Sequence, residues 1–181
     1  MIPRSDITSW SKHVPWKSNE QVEQDLIISR ALVDLFSEKL LSENLAFRGG
    51  TALHKLFLLP QARYSEDIDL VQLKPAPIGI VLDLIKKRLS YLGKPKVNQH
   101  KRNNTIIFSF ESEIPPVVQL KLKIEINCRE HFIIYNIEKK PFKVKSNWFS
   151  GRCEITTYCL EELLGSKIRA LYQRKKGRDL F

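Results

Sequence analysis

The chain has 181 residues, 43% of them hydrophobic and 28% charged, with 30 Lys and Arg against 20 Asp and Glu for a formal net charge of +10. That length and apolar content suit one globular domain, or one domain with a small appendage, and exclude extensive disorder, while the basic surplus favours nucleic acid, nucleotides or another anionic surface as partner. No apolar run approaches the ~20 residues of a membrane span, and Met1 to Trp16 lacks the apolar centre of a signal peptide, so a soluble, cytoplasmic protein is expected.

In chain order, Ser18-Asn19-Glu20-Gln21 has the Ser-x-x-Gln form of a helix capping box. Val22, Leu26, Val33, Phe36 and Leu40 follow at helical spacing, which predicts one long amphipathic helix to about Glu43-Asn44. Leu45-Ala46-Phe47 reads as a short strand running into Gly49-Gly50, and a second helix spans Thr51 to Leu59, stopped by Pro60. Ile68, Leu70 and Val71 mark a buried strand that also carries Asp67 and Asp69. Pro77 opens a third helix, Ile78 to Leu92, which Gly93 closes. Strands then dominate: Lys96–Arg102, Thr105–Glu111 and Val117–Cys128, with Asn103-Asn104 as the turn between the first two.

In Val117–Cys128 the residues Val118, Leu120, Leu122, Ile124, Ile126 and Cys128 point one way, and Glu125 lies on the opposite, polar face. Shorter strands are expected at Phe132–Tyr135 and Glu154–Thr157, then a helix from Leu160 to Gln173 and a basic run from Arg174 to Arg178. This order predicts an α+β fold, helices packed against a mixed sheet, divided as an N-terminal segment and helix (1–44), a core (45–158) and the start of a C-terminal helical region (159–181). Cys128, Cys153 and Cys159 form no CxxC pair, so they read as reduced packing residues, and neither their spacing nor that of the histidines suits zinc. His54 and His131 read as packing residues too.

The chemistry concentrates in two stretches, Arg48-Gly49-Gly50-Thr51 and Arg63-Tyr64-Ser65-Glu66-Asp67-Ile68-Asp69. A strand that ends in two glycines and passes directly into a helix lets the backbone approach a phosphate, with peptide N–H groups aimed at the anion. Asp67 and Asp69, two apart on a strand, project from one face and reach one metal ion. Two bare carboxylates about 4 Å apart repel by roughly 4 kcal/mol at an effective dielectric of 20, which calls for a cation between them. Either feature alone also fits a tight turn or a strand-end Asp pair; together they are more specific.

Together they resemble the nucleotidyltransferase superfamily that includes DNA polymerase beta. More closely, Gly49-Gly50-Thr51-Ala52-Leu53 with Arg63-x-Ser65-x-Asp67-x-Asp69 is similar to the AbiEii family of nucleotidyltransferase toxins from bacterial toxin–antitoxin and abortive-infection systems. Lys123-Ile124-Glu125-Ile126-Asn127 with Arg129-Glu130-His131 resembles that family's third acidic strand, Leu160 to Leu171 its lysine helix, and Arg178-Asp179 the start of its terminal motif. The resemblance implies a transferase that uses a nucleoside triphosphate (NTP) with Mg2+ or Mn2+. It implies metal and catalytic roles for Asp67, Asp69 and Glu125, the last as third ligand or as base, since Glu stands where many members have Asp. It also implies nucleotide contacts from Gly49, Gly50, Thr51, Arg63, Ser65, Lys167 and Asp179, although Arg63 and Ser65 also suit bracing of the strand and Lys167 also suits an exposed helix position. RNA, tRNA in particular, is the implied acceptor and an antitoxin protein the implied partner. Members usually continue beyond the point equivalent to Phe181, so the chain is expected to be compact or truncated there. Two other readings stay open: a non-catalytic module of the same fold, and a metal-dependent nuclease, for which an acidic-x-Lys pair is wanted but Glu125 is followed by Ile126-Asn127.

Overall fold

The computed structural model describes residues 2–100, 103–131 and 133–174. A seven-stranded mixed sheet runs in the order β3-β4-β5-β2-β1-β7-β6, which bears out the α+β expectation. Its centre is built from β1 (Leu45–Arg48), β2 (Asp67–Gln72) and β5 (Gln119–Asn127); β1 pairs antiparallel with β2, and β2 runs parallel to β5. Outside them lie β3 (Lys96–Gln99) and β4 (Asn103–Glu111) on one edge, β6 (Ile137–Lys145) and β7 (Ser150–Tyr158) on the other.

Alternation along the strands divides the sheet into two faces. Phe47, Ile68, Leu70, Ile124, Ile126, Phe108 and Ile155 turn to one side, where they share a single hydrophobic core with α2 (Asn19–Phe36), α5 (Gly79–Arg88) and α1 (Arg4–Trp10). Ala46, Val71 and Tyr158 turn to the other, where Leu163 of α6 (Leu160–Arg174) packs on them. Residues 49–56 form α4 (Gly49–Leu56). This second face also carries the polar side chains Arg48, Asp67, Asp69 and Glu125.

Several local expectations are corrected. The long first helix is broken: α2 ends at Phe36, and α3 (Lys39–Asn44) starts afresh after Ser37-Glu38. The Ser18 cap itself is present, its Oγ accepting from the Gln21 N–H at 3.4 Å. Helix α1 has no counterpart in the sequence pattern, because its seven residues are too few to display a helical period. The second helix begins two residues early, at Gly49, and ends at Leu56; the third shrinks to Gly79–Arg88 with a separate 3-10 turn, Ser90–Leu92. Asn103-Asn104 opens β4 and pairs with β5 instead of turning. Residues 133–135 are not a strand; the Ile134 and Tyr135 N–H groups donate to the Glu162 carboxylate at 3.1 and 3.2 Å. The strand lies further on, as β6, whose four lysines and Pro141 mask its pattern; this is an edge strand, where Lys and Pro discourage pairing with another chain.

Candidate active site

β1 brings Arg48 to the mouth of a cleft of about 590 Å³, and the chain turns at once into α4. Gly49 makes that turn at φ +82°, a left-handed conformation that a side chain disfavours. A Cβ there would also collide with a carboxylate oxygen of Asp69 and stand 3.0 Å from its Cγ. Both the backbone and the packing of Asp69 therefore require glycine. At Gly50 a Cβ would meet only Ser65 Oγ, at 4.0 Å, so its absence leaves open space. Among the described residues no side chain caps the start of α4, whose first N–H groups have no partner within the helix.

Thr51 is placed differently from Gly49 and Gly50. Its side chain is buried; Oγ1 donates to the Asp67 carbonyl oxygen at 2.6 Å and shares a 2.5 Å hydrogen bond with Ser65 Oγ. It ties α4 to the start of β2 and is not part of the cleft wall. Ser65 does line the cleft, as do Arg63 and, from α6, Lys167. Tyr64, between Arg63 and Ser65, packs edge-on against Trp16 with ring centroids 5.4 Å apart, which holds this loop to the body of the protein.

Asp67 and Asp69 share the second face of β2. In register, Asp69 lies between Arg48 of β1 and Glu125 of β5, and Asp67 lies beside Lys123. One row across three adjacent strands thus reads Arg48, Asp69, Glu125. Burial first, and then the Glu125 and Asp67 charges, push the Asp69 carboxyl up to about 6 against the opposing pull of Arg48 and Lys123. Glu125 is ion-paired with Lys123, a hydrogen bond that holds the lysine above its ordinary value.

Among the described residues, no three His, Cys, Asp or Glu side chains gather tightly enough to enclose an ion by themselves. The donor set fits a different arrangement. Two aspartates on one face, with mutual repulsion felt at Asp69, suit a magnesium-type ion that takes one or two carboxylates and completes its shell with phosphate oxygens and water.

A second carboxylate system, with no signal of its own in the local sequence, centres on Glu130. Glu130 accepts from Arg48 Nη1 at 2.7 Å, from Arg169 Nη2 at 3.1 Å and from Asn127 Nδ2 at 3.2 Å. Burial acts to raise the Glu130 carboxyl, but the two guanidinium groups outweigh it and hold it below the ordinary value. The segment is folded by Asn127 Oδ1, which accepts the N–H groups of Arg129 and Glu130 at 2.8 and 3.0 Å. Arg-Glu-His after the acidic strand was visible as part of a family pattern, yet its work, tying α6 to the end of β1, depends on contacts 39 and 82 residues apart. His54 is buried as expected of a packing residue, but it lines the cleft and neither ring nitrogen has a hydrogen-bond partner among the described residues. Asp179 lies outside the described residues.

Comparison with known proteins bears on the family and the fold. The pattern of one family, described as "Nucleotidyl transferase AbiEii toxin, Type IV TA system", matches residues 30–181. The sequence matches no curated protein. Among solved structures, JHP933 from Helicobacter pylori superposes with a TM-score of 0.61 at 15% identity, over 91% of this chain and 65% of that one. A putative nucleotidyltransferase from H. pylori gives 0.59 at 16%, over 91% and 66%. MenT4, a nucleotidyltransferase toxin from Mycobacterium tuberculosis H37Rv, gives 0.62 at 16%, over 93% and 58%. At such identities the likeness is one of fold, and the chain spans less than two thirds of the length of each of these proteins.

Proposed function

The chain belongs to the AbiEii nucleotidyltransferase toxin family, and from that premise we propose that it transfers a nucleotide from an NTP to a hydroxyl of an RNA acceptor, as the toxin of a toxin–antitoxin pair. The observation that carries this reading is the row Arg48, Asp69, Glu125 set against the Gly49 turn. It sets the glycine turn directly against the acidic side chains in one cleft.

In this reading the phosphates lie against the Gly49 and Gly50 N–H groups, with Arg63, Ser65 and Lys167 beside them. Thr51 acts one step back, holding Ser65 and β2 in place. Asp67 and Asp69 would hold Mg2+ or Mn2+, which would supply charge neutralisation at the reacting phosphate. Glu125, paired with Lys123, faces the acceptor side, takes the proton of the attacking hydroxyl and returns it to solvent. That hydroxyl attacks the α-phosphorus in line, the bond to the α–β bridging oxygen breaks, and pyrophosphate leaves. Asp179, by resemblance, adds a further nucleotide contact.

A tRNA 3′ end suits the role of acceptor because the net charge is +10 and cations ring the cleft. An antitoxin protein is the expected partner in the cell, and a cytoplasmic location follows from this role. No helix among the described residues is long and apolar enough to cross a membrane.

The test is incubation with each radiolabelled NTP and total RNA, wild type beside Asp69→Asn. Labelling by the variant is expected to fall by at least about a hundredfold, the order of effect seen when a key transition-state electrostatic group is lost. Equal labelling by both proteins discards the transferase reading.

A further inference from the structure

We propose that His54 is a phosphate-binding residue, its neutral imidazole donating a hydrogen bond to a β- or γ-phosphate oxygen of the bound nucleotide. This inference rests on the nucleotidyltransferase reading of the cleft and adds a residue that the sequence pattern had assigned to packing.

Three observations meet at this side chain. His54 lies on α4, a turn beyond the Gly49-Gly50 start, and it lines the same cleft. It is only 4% exposed, yet Nδ1 and Nε2 are both buried without a hydrogen-bond partner among the described residues. Buried polar groups are almost always paired, because leaving one unpaired forfeits its hydration with nothing in return; an orphaned ring on a site wall points to a ligand that completes it. A ring serving only as packing would be better replaced by a hydrocarbon side chain of the same size.

The surroundings select the kind of ligand. Burial keeps the imidazole neutral, and the next influences on it are the positive charges of Lys167 and Arg63. Those two cations line the cleft with it and gather an anion, and an anion held there takes the N–H that the neutral ring offers. A nucleobase would have no use for the flanking charges. Phosphate oxygens meet all three groups at once.

The experiment uses inorganic tripolyphosphate as the probe, with an NTP in parallel, in the presence of magnesium. The chain has four histidines, so their ring nitrogen signals resolve in a 15N spectrum of the wild-type protein. Tripolyphosphate is expected to shift one ring, assigned to His54 by its loss in His54→Phe. Calorimetry should show tripolyphosphate and the NTP bound about tenfold more weakly by His54→Phe, with His54→Gln, which keeps an N–H donor, falling in between. The melting temperature of His54→Phe should not drop, since the substitution removes two unpaired polar atoms.

Binding by the wild type with no movement of the His54 ring signals and unchanged affinity in His54→Phe overturns this inference and leaves the transferase reading standing. A wild type that binds neither the NTP nor tripolyphosphate overturns both. If His54→Phe fails to fold, the ring is assigned by its loss in His54→Gln and the wild-type shift decides alone.

Discussion

Asp69 sits where burial and two neighbouring carboxylates all disfavour its charge, and a Cβ on Gly49 would strike it. The same arrangement that suits it to a cation destabilises the protein without one. Asp69→Asn keeps the side-chain shape and removes the repulsion, so at neutral pH and without divalent ions the variant should melt several degrees higher than wild type, a gain of about 2 kcal/mol. Magnesium with an NTP should raise the wild-type melting temperature and leave the variant nearly unmoved. Scanning fluorimetry checks both, and a variant that melts lower than wild type without metal would mean the carboxylates are not in conflict. Glu130 is the opposite case. Held by two guanidinium groups and an amide, it is stabilised in its charged form and serves to fix Arg48 and Arg169.

At the scale of elements, the glycine turn depends on what holds α4. Lys55 on that helix donates to Asp25 at 2.7 Å and to Ser29 Oγ at 3.0 Å, and Asp25 also accepts from Trp10 Nε1 at 3.1 Å. One buried carboxylate thereby joins α1, α2 and α4. Lys55→Met would strand the Asp25 charge in the core and should cost about 3 kcal/mol in urea unfolding, with a large part regained when Asp25→Asn is added. A second tie anchors the segment before β5: Glu23 of α2 accepts the Glu113 N–H at 3.0 Å. Burial, assisted by Glu20, raises the Glu23 carboxyl from 4.5 to about 7. Because the folded value lies above the unfolded one, its penalty is absent below about pH 4.5, grows through the interval and is complete above pH 7. Glu23→Gln keeps an oxygen for the Glu113 N–H and carries no charge. It should therefore stabilise the protein by about 1–2 kcal/mol at pH 8 and by nothing at pH 4, as read from melting curves at the two values.

For the whole molecule, the surplus of ten positive charges and a cleft walled by Arg48, Arg63, Lys123, Lys167 and Arg169 set a long-range field for a polyanion. If RNA is the acceptor, its affinity should fall linearly on a log–log plot against salt, by an order of magnitude or more between 50 and 200 mM, because bound counterions are released as phosphates are neutralised. Filter binding with labelled tRNA measures the slope; a flat line would point to a small or protein acceptor. The basic edge strand β6 belongs to the same charge balance, but there the lysines also keep an open sheet edge from pairing.

The local pattern of the chain sufficed for the strands that bear the site. Asp67-x-Asp69 needs only the two-residue period of a strand, and Gly49-Gly50 at a strand end needs only backbone stereochemistry, so both were legible from neighbours in sequence. The helix break at Ser37-Glu38, the displaced β6 and the bracing role of Thr51 were not, because each is decided by what the segment packs against. The alignment of Asp69 with both Arg48 and Glu125 is a matter of strand order, which residues 48, 69 and 125 cannot express until the sheet is formed. His54 and Glu130 complete the lesson: a sequence states that a side chain is polar, but only the tertiary structure decides whether its partner is present, since hydrogen bonds and ion pairs act over a few ångströms of space and take no account of distance along the chain.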